Sequence, residues 1–262
     1  MNRDLLRLYA ITDRHCLKTL SPAGAEKSVS GAEESPTAMK SVPTAEESLA
    51  ATEAKGVSVA PSLQADGEAE ALATAVEQAI LGGATMVQFR EKERSGAQLE
   101  QDARAVQVIC RKHGVPFIVN NDVTLAQKLD ADGVHVGQSD MPAAEARRLL
   151  GPAKIIGVTA RTVAEAQAAE AAGADYLGSG AVFGTSTKLD AKTMPLETFR
   201  AITQSVQIPV VAIGGISAAN AGGLKSHGAA GLAVVSSLFG AADITEAAQT
   251  LRAIAEEVVA DR

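Results

Sequence analysis

The chain has no tryptophan, and two tyrosines and five phenylalanines hold its aromatic content to 3% of 262 residues. A core must therefore be built from Val, Ile, Leu and Ala. Cysteine is scarce too. Cys16 and Cys110 supply neither a disulfide framework nor zinc-ligand spacing, and reduced thiols are the simpler reading. No run of about 18 apolar residues is present, so no spanning helix is expected. Residues 1–14 carry Arg3, Asp4 and Arg7 and no apolar leader core, so a cytoplasmic location is expected. Basic charge is in deficit, with 24 basic against 31 acidic residues and a net charge of −7. That balance speaks against nucleic-acid binding, which relies on phosphate neutralisation, and leaves a small anionic substrate open. No Gly-rich dinucleotide fingerprint follows the first strand-like run, and Walker A spacing is missing.

What the chain does have is repetition. Short β-branched or apolar runs at 8–11, 85–88, 117–119, 133–136, 155–158, 176–178, 210–213 and 231–235 predict eight strands. The runs are mostly continuous rather than alternating, as in parallel strands covered on both faces. Helical stretches are expected at 71–81, 97–112, 124–129, 143–150, 163–172 and 244–259. Eight strands in β–α alternation point to a single (β/α)8 TIM barrel over 1–262, a size normal for that fold. An open doubly wound sheet is the runner-up, weakened by the missing fingerprint. Glycines at 82–83, 173 and 228 fall where helices should end and strands begin, and they read as structural caps.

One segment breaks the pattern. Residues 18–67 are rich in Ser, Ala, Glu, Thr and Pro, and no aromatic falls between Tyr9 and Phe89. This low-complexity composition reads as a disordered or weakly helical insertion after the first strand. A tolerated surface insertion is the plain interpretation, and a lid over the site is the sharper one.

Polar residues gather just after the strands, on the face where such barrels build their sites. Alternation puts Gln88, Arg90 and Lys92 on one side of the second strand and Phe89 and Glu91 on the other. Inward cations suit a phosphate or diphosphate, unless Arg90 or Lys92 simply pairs with Glu91 or Glu93. The third and fourth strands end in Asn120-Asn121-Asp122 and His135-Val136-Gly137-Gln138-Ser139-Asp140, oxygen donors suited to Mg2+. His135 reads as packed rather than ligating. The sixth strand leads into a Gly-rich loop running from Gly178 to Lys188. The seventh and eighth end in Gly214-Gly215 and Val235-Ser236-Ser237, where barrels often hold a phosphate against backbone amides and a short extra helix. Two anion sites in one mouth suggest a transfer between two phosphorylated molecules.

Four stretches carry a resemblance: Tyr9-Ala10-Ile11-Thr12-Asp13, Gln88-Phe89-Arg90-Glu91-Lys92, Asp132 through Asp140, and Ile213-Gly214-Gly215-Ile216. They resemble the thiamine-phosphate synthase family, over 8–14 and from 71 to about 259. The resemblance implies a transferase of thiamine biosynthesis. It would join 4-amino-5-hydroxymethyl-2-methylpyrimidine diphosphate to 4-methyl-5-(2-phosphoethyl)thiazole, with Mg2+, releasing thiamine phosphate and diphosphate. Carried onto this chain, it implies that Gln88, Arg90, Lys92, Asn120, Thr159 and Lys188 hold the pyrimidine diphosphate. Thr185, Thr187, Gly215, Val235 and Ser236 would hold the thiazole phosphate. Arg90, Lys92, Thr159 and Lys188 would serve the chemistry. Asp140 and Asn121 would be the metal ligands, with Asp122 as a substitute acting through water.

Two departures stand out. Asn121 stands where the family commonly has Asp, and Thr159 where Ser is frequent. The implied chemistry is dissociative loss of diphosphate from a benzylic-type carbon, then attack by the thiazole nitrogen, with no protein nucleophile. A sister group of thiazole tautomerases relies on a His after the fifth strand, where this chain has Arg161. A sugar-phosphate epimerase would need only one anion site, and a non-catalytic phosphate-binding barrel would turn nothing over. The sequence leaves a homo-oligomer open.

Overall fold

A computed structural model describes residues 1–18, 60–184 and 192–261. Eight strands close into a parallel barrel in sequence order: β1 (Leu8–Ile11), β2 (Met86–Phe89), β3 (Phe117–Asn120), β4 (Gly133–Val136), β5 (Ile155–Thr159), β6 (Tyr176–Gly180), β7 (Val210–Ile213) and β8 (Gly231–Val234). Leu8 pairs with Leu232 and Tyr9 with Met86, so β1 joins β8 on one side and β2 on the other. This is the (β/α)8 TIM barrel read from the alternation of apolar runs. None of the described helices is long and apolar enough to cross a membrane.

Alternation along each strand sorts side chains into two cores. Leu8, Ala10, Val87, Phe89, Phe117, Val119, Val134 and Leu177 face the helices. Tyr9, Ile11, Met86, Ile118, Tyr176, Val211 and Ala233 fill the barrel interior. The two faces explain why the strands read as continuous apolar runs. Both are buried, one against helices and one against the opposite wall.

The helices are α1 (Arg14–Lys18), α2 (Ala60–Leu81), α3 (Gly96–His113), α4 (Val123–Lys128), α5 (Ala143–Leu150), α6 (Val163–Ala171), α7 (Leu196–Ser205), α8 (Ser236–Phe239) and α9 (Ile244–Ala260). Several features differ from the sequence-based expectation. Helix α2 starts at Ala60, upstream of the expected residue 71, so the end of the 18–67 segment is helical, and 19–59 lie outside the described residues. Helix α7 was not expected, although Pro195, Glu197 and the buried Phe199 and Ile202 form a start signal and an apolar stripe. Between β7 and β8 the chain makes only a 3-10 turn, Ala221–Leu224, because Gly222 and Gly223 disfavour a longer helix. Strands β3, β5 and β6 run one or two residues past their apolar runs, since the backbone ladder continues beneath polar side chains.

Barrel closure is tight where β8 begins. A β-carbon on Gly231 would lie 1.7 Å from the Leu6 carbonyl oxygen, whereas one on Gly222 would meet nothing within 4 Å. We expect Gly231→Ala to lower the unfolding free energy by about 1–3 kcal/mol. Gly222→Ala should change it by less than about 0.5 kcal/mol. Urea midpoints for the two variants check this directly, and equal shifts would contradict the closure argument.

Candidate active site

A cavity of about 470 Å3 opens at the C-terminal ends of the strands. Gln88, Arg90, Lys92, Asn120, Asn121, Asp140, Thr159, Gly215, Val235 and Ser236 line it. Of the described residues singled out from sequence, only Asp122 does not. Thr185, Thr187 and Lys188 lie outside the described residues.

The cationic wall is built at the end of β2. Thr12 anchors it: its buried hydroxyl accepts from the Arg90 backbone N–H at 2.9 Å and faces the Arg90 carbonyl at 3.1 Å. The Arg90 guanidinium pairs with Asp13 rather than with Glu91 or Glu93. Glu91 points the opposite way, between barrel and helices, as the alternation required. Its Oε1 accepts the backbone N–H groups of Lys92 and Glu93, each at 2.7 Å, while Oε2 takes Arg14 Nε at 2.8 Å. Arg14 reaches on to Asp102 in α3 and to Glu68 in α2, and Arg94 pairs with both of those acids.

This network is buried where it matters. The side chains of Asp102, Glu91 and Arg14 are 0%, 2% and 7% exposed. Burial pushes the Asp102 carboxyl above its ordinary range, against the pull of Arg14 and Arg94. At Glu91 burial also raises, but the Glu93 N–H and Arg14 outweigh it and hold the carboxyl below the usual value. Residues 91–94 are thereby tied to three helices. From sequence alone, Asp13 and Arg14 have no assigned partner. The signal for one was Asp102, an acid between apolar Leu99, Ala103 and Val106 on α3.

A second network crosses the floor of the cavity. Gln88 Nε2 donates to Tyr9 Oη at 2.7 Å, and Tyr9 Oη lies 2.7 Å from Tyr176 Oη. Tyr176 Oη is 3.0 Å from His135 Nδ1, and His135 Nε2 is 3.0 Å from Thr159 Oγ1. His135 is thus a packed, hydrogen-bonded group, in keeping with the reading from sequence. Burial raises both phenols well above their ordinary value, so they stay protonated.

Oxygen donors occupy the wall between β3 and β4. Asp140 Oδ2 accepts the Gly137 N–H at 2.7 Å, and Oδ1 has no hydrogen-bond partner among the described residues. Asn121 takes a left-handed conformation with φ 64°, which Asn and Asp adopt more readily than other side chains. Asp122 is committed elsewhere: it caps α4, its Oδ1 accepting the Leu125 N–H at 2.8 Å. Among the described residues no three His, Cys, Asp or Glu side chains cluster as a protein-only metal cage. One carboxylate beside one amide oxygen fits a hard cation that keeps waters and bridges to substrate phosphates.

The opposite wall is backbone. Gly214 and Gly215 have φ 101° and 65°, and a β-carbon on Gly215 would lie 2.3 Å from the Gly184 carbonyl oxygen. Only glycine fits that turn. Val235 precedes α8, the short extra helix expected at Ser236. Cations on one wall and glycine amides and a serine on the other make this a (β/α)8 barrel suited to phosphorylated ligands.

Comparison with known proteins narrows that class. The sequence pattern described as thiamine monophosphate synthase matches residues 48–238. A thiamine-phosphate synthase of Ruminiclostridium cellulolyticum is 51% identical over 180 residues, covering 69% of this chain and 86% of that protein. One of Chloroflexus aurantiacus is 52% identical over 180 residues, covering 68% and 83%. The solved structure of a thiamine phosphate pyrophosphorylase from Pyrococcus furiosus superposes with a TM-score of 0.72 at 33% identity, covering 98% and 99%. The chain belongs to the thiamine monophosphate synthase family.

The ion network makes a graded prediction. Asp102→Ala removes the fully buried acid shared by Arg14 and Arg94, leaving two largely buried guanidinium groups short of a partner, and should cost about 3–5 kcal/mol of stability. Glu68→Ala removes the half-exposed member and should cost less than about 1 kcal/mol. Comparable losses in chemical denaturation would remove Asp102 from its central position.

Proposed function

We propose that this chain catalyses thiamine phosphate formation from the pyrimidine diphosphate and the thiazole phosphate, as a cytoplasmic transferase. One observation carries the reading: a cationic wall at Arg90 and Lys92 shares a single cavity with the glycine and serine wall at Gly214–Ser236. A diphosphate and a monophosphate thus have separate seats in one mouth. No cysteine or serine nucleophile is needed. Burial pushes the Cys110 thiol up to about 12, and it lies in the outer core.

The residues divide the work. Arg90 and Lys92 bind the diphosphate and take up its charge as the carbon–oxygen bond breaks. Lys188, assigned to the diphosphate by the family resemblance, would add a third cation. Gln88 and Thr159 orient the pyrimidine, and Asn120 borders it. Gly215, Val235 and Ser236, with Thr185 and Thr187, seat the thiazole phosphate so that the ring nitrogen faces the carbon. Asp140 and Asn121 would hold Mg2+, which supplies charge neutralisation for the leaving diphosphate. The apolar interior beneath the site excludes water that would otherwise trap the cation.

The test is turnover. Both substrates with Mg2+ should give thiamine phosphate by chromatography, and EDTA should abolish it. Substrate binding by calorimetry without product would reject the synthase reading. Asn121→Asp adds a charge at the metal position while keeping the backbone conformation. It should lower the Mg2+ concentration for half-maximal rate by about tenfold. An unchanged Mg2+ requirement would remove Asn121 from the ligand set. Lys188→Ala should slow bond formation far more than it weakens thiazole phosphate binding, and equal losses would rule out its role at the diphosphate.

A further inference from the structure

The two tyrosines of this chain meet inside the barrel, joined to each other and to both groups that orient the pyrimidine. The direction of that chain follows from counting hydrogens. Gln88 Nε2 donates to Tyr9 Oη, so the Tyr9 proton passes to Tyr176. Tyr176, with His135 Nδ1 as its next neighbour at 3.0 Å, can then give its own proton to that nitrogen. With Nδ1 accepting, the imidazole hydrogen sits on Nε2, 3.0 Å from Thr159 Oγ1, and donates there. The Thr159 proton is left for the cavity. At the other end, Gln88 Oε1 has no partner among the described residues and borders the same cavity.

The packing is shaped around this chain. A β-carbon on Gly157 would lie 2.3 Å from Tyr176 Oη and 2.5 Å from His135 Nδ1, at the central bond. Glycine there keeps the phenol and imidazole in contact.

We propose that Tyr9, Tyr176 and His135 are positioning residues forming a one-way hydrogen-bond relay, which presents Gln88 as an acceptor and Thr159 as a donor and so selects an amino- over an oxo-pyrimidine. The inference rests on the substrate reading above. The aminopyrimidine donates through its exocyclic amino group at one end of the ring and accepts at a ring nitrogen at the other. An oxo group in place of the amino group puts two acceptors face to face at Gln88, a buried mismatch that disfavours binding. Cutting the relay frees the Gln88 amide to turn and accommodate either.

Two measurements test it. The first compares kcat/KM for the amino substrate and its 4-oxo analogue in the unmodified protein, Tyr176→Phe and Tyr9→Phe. Either variant should lower the amino-over-oxo ratio by at least about tenfold, with KM for the thiazole phosphate unchanged. An unchanged ratio, or parallel rises in both KM values, would overturn the proposal. The second uses 15N NMR on the full, substrate-free chain, with the His135 signal assigned by its loss in His135→Asn. A neutral imidazole protonated on Nε2 is expected, and protonation on Nδ1 reverses the relay and overturns it. Because this measurement needs no turnover, it remains decisive if the synthase reading fails. Gly157→Ala, which keeps every relay side chain, should reproduce the Tyr176→Phe ratio, and a native-like ratio in a folded Gly157→Ala protein would count against the relay.

Discussion

Closure of eight short parallel strands obliges every second residue to point into a shared interior. Everything else in this protein follows from how that space is filled. The lower interior is apolar, with Leu6, Met86, Ile118, Val211 and Ala230. Higher up the same inward positions turn polar, at Gln88, Asn120, His135 and Thr159. The site is the upper part of the core, where polar groups replace apolar ones. Its floor is therefore as closely packed as the core beneath it, which fixes the Gln88 and Thr159 side chains before any ligand arrives.

Buried charge would be a liability in such a place, since isolated ions cost several kcal/mol to desolvate. The chain avoids stranding them. Arg14, Glu91, Asp102 and Arg94 satisfy one another between barrel and helices, with Glu68 at the wet edge. The network's useful product is geometric. Glu91 ties the backbone of Lys92 and Glu93, and Asp13 with Thr12 ties Arg90. The Arg90 guanidinium and the Lys92 backbone are thus held in register by acids and a hydroxyl from neighbouring segments.

Much of this was legible in the residues, and the limits are instructive. Strand number, order and inward faces came from apolar runs punctuated by glycine, because a parallel strand buried on both sides has no other composition open to it. The cavity-lining residues came from a simple rule, polar side chains just past a strand. Helix α7 was missed because its apolar stripe is only Leu196, Phe199 and Ile202, too short to dominate a window. The Arg14–Asp102 pair was invisible because its partners lie 88 positions apart and meet only through packing. Nothing in the sequence marks Tyr9 and Tyr176 as a pair, and only barrel closure brings their hydroxyls within 2.7 Å.

Asn121 shows how these levels combine. Read alone, an amide at a metal position looks like a loss of function, since it removes a charge. The backbone there is left-handed, and Asn is among the few side chains that accept it cheaply. The neighbouring Asp122 caps α4 through Oδ1 and does not line the cavity. The change from the family's usual Asp therefore fits this backbone and alters the local charge. On the proposed metal role, a weaker hold on the cation would leave more of the leaving-group charge to Arg90 and Lys92, and Arg90 is already held by Asp13 and Thr12.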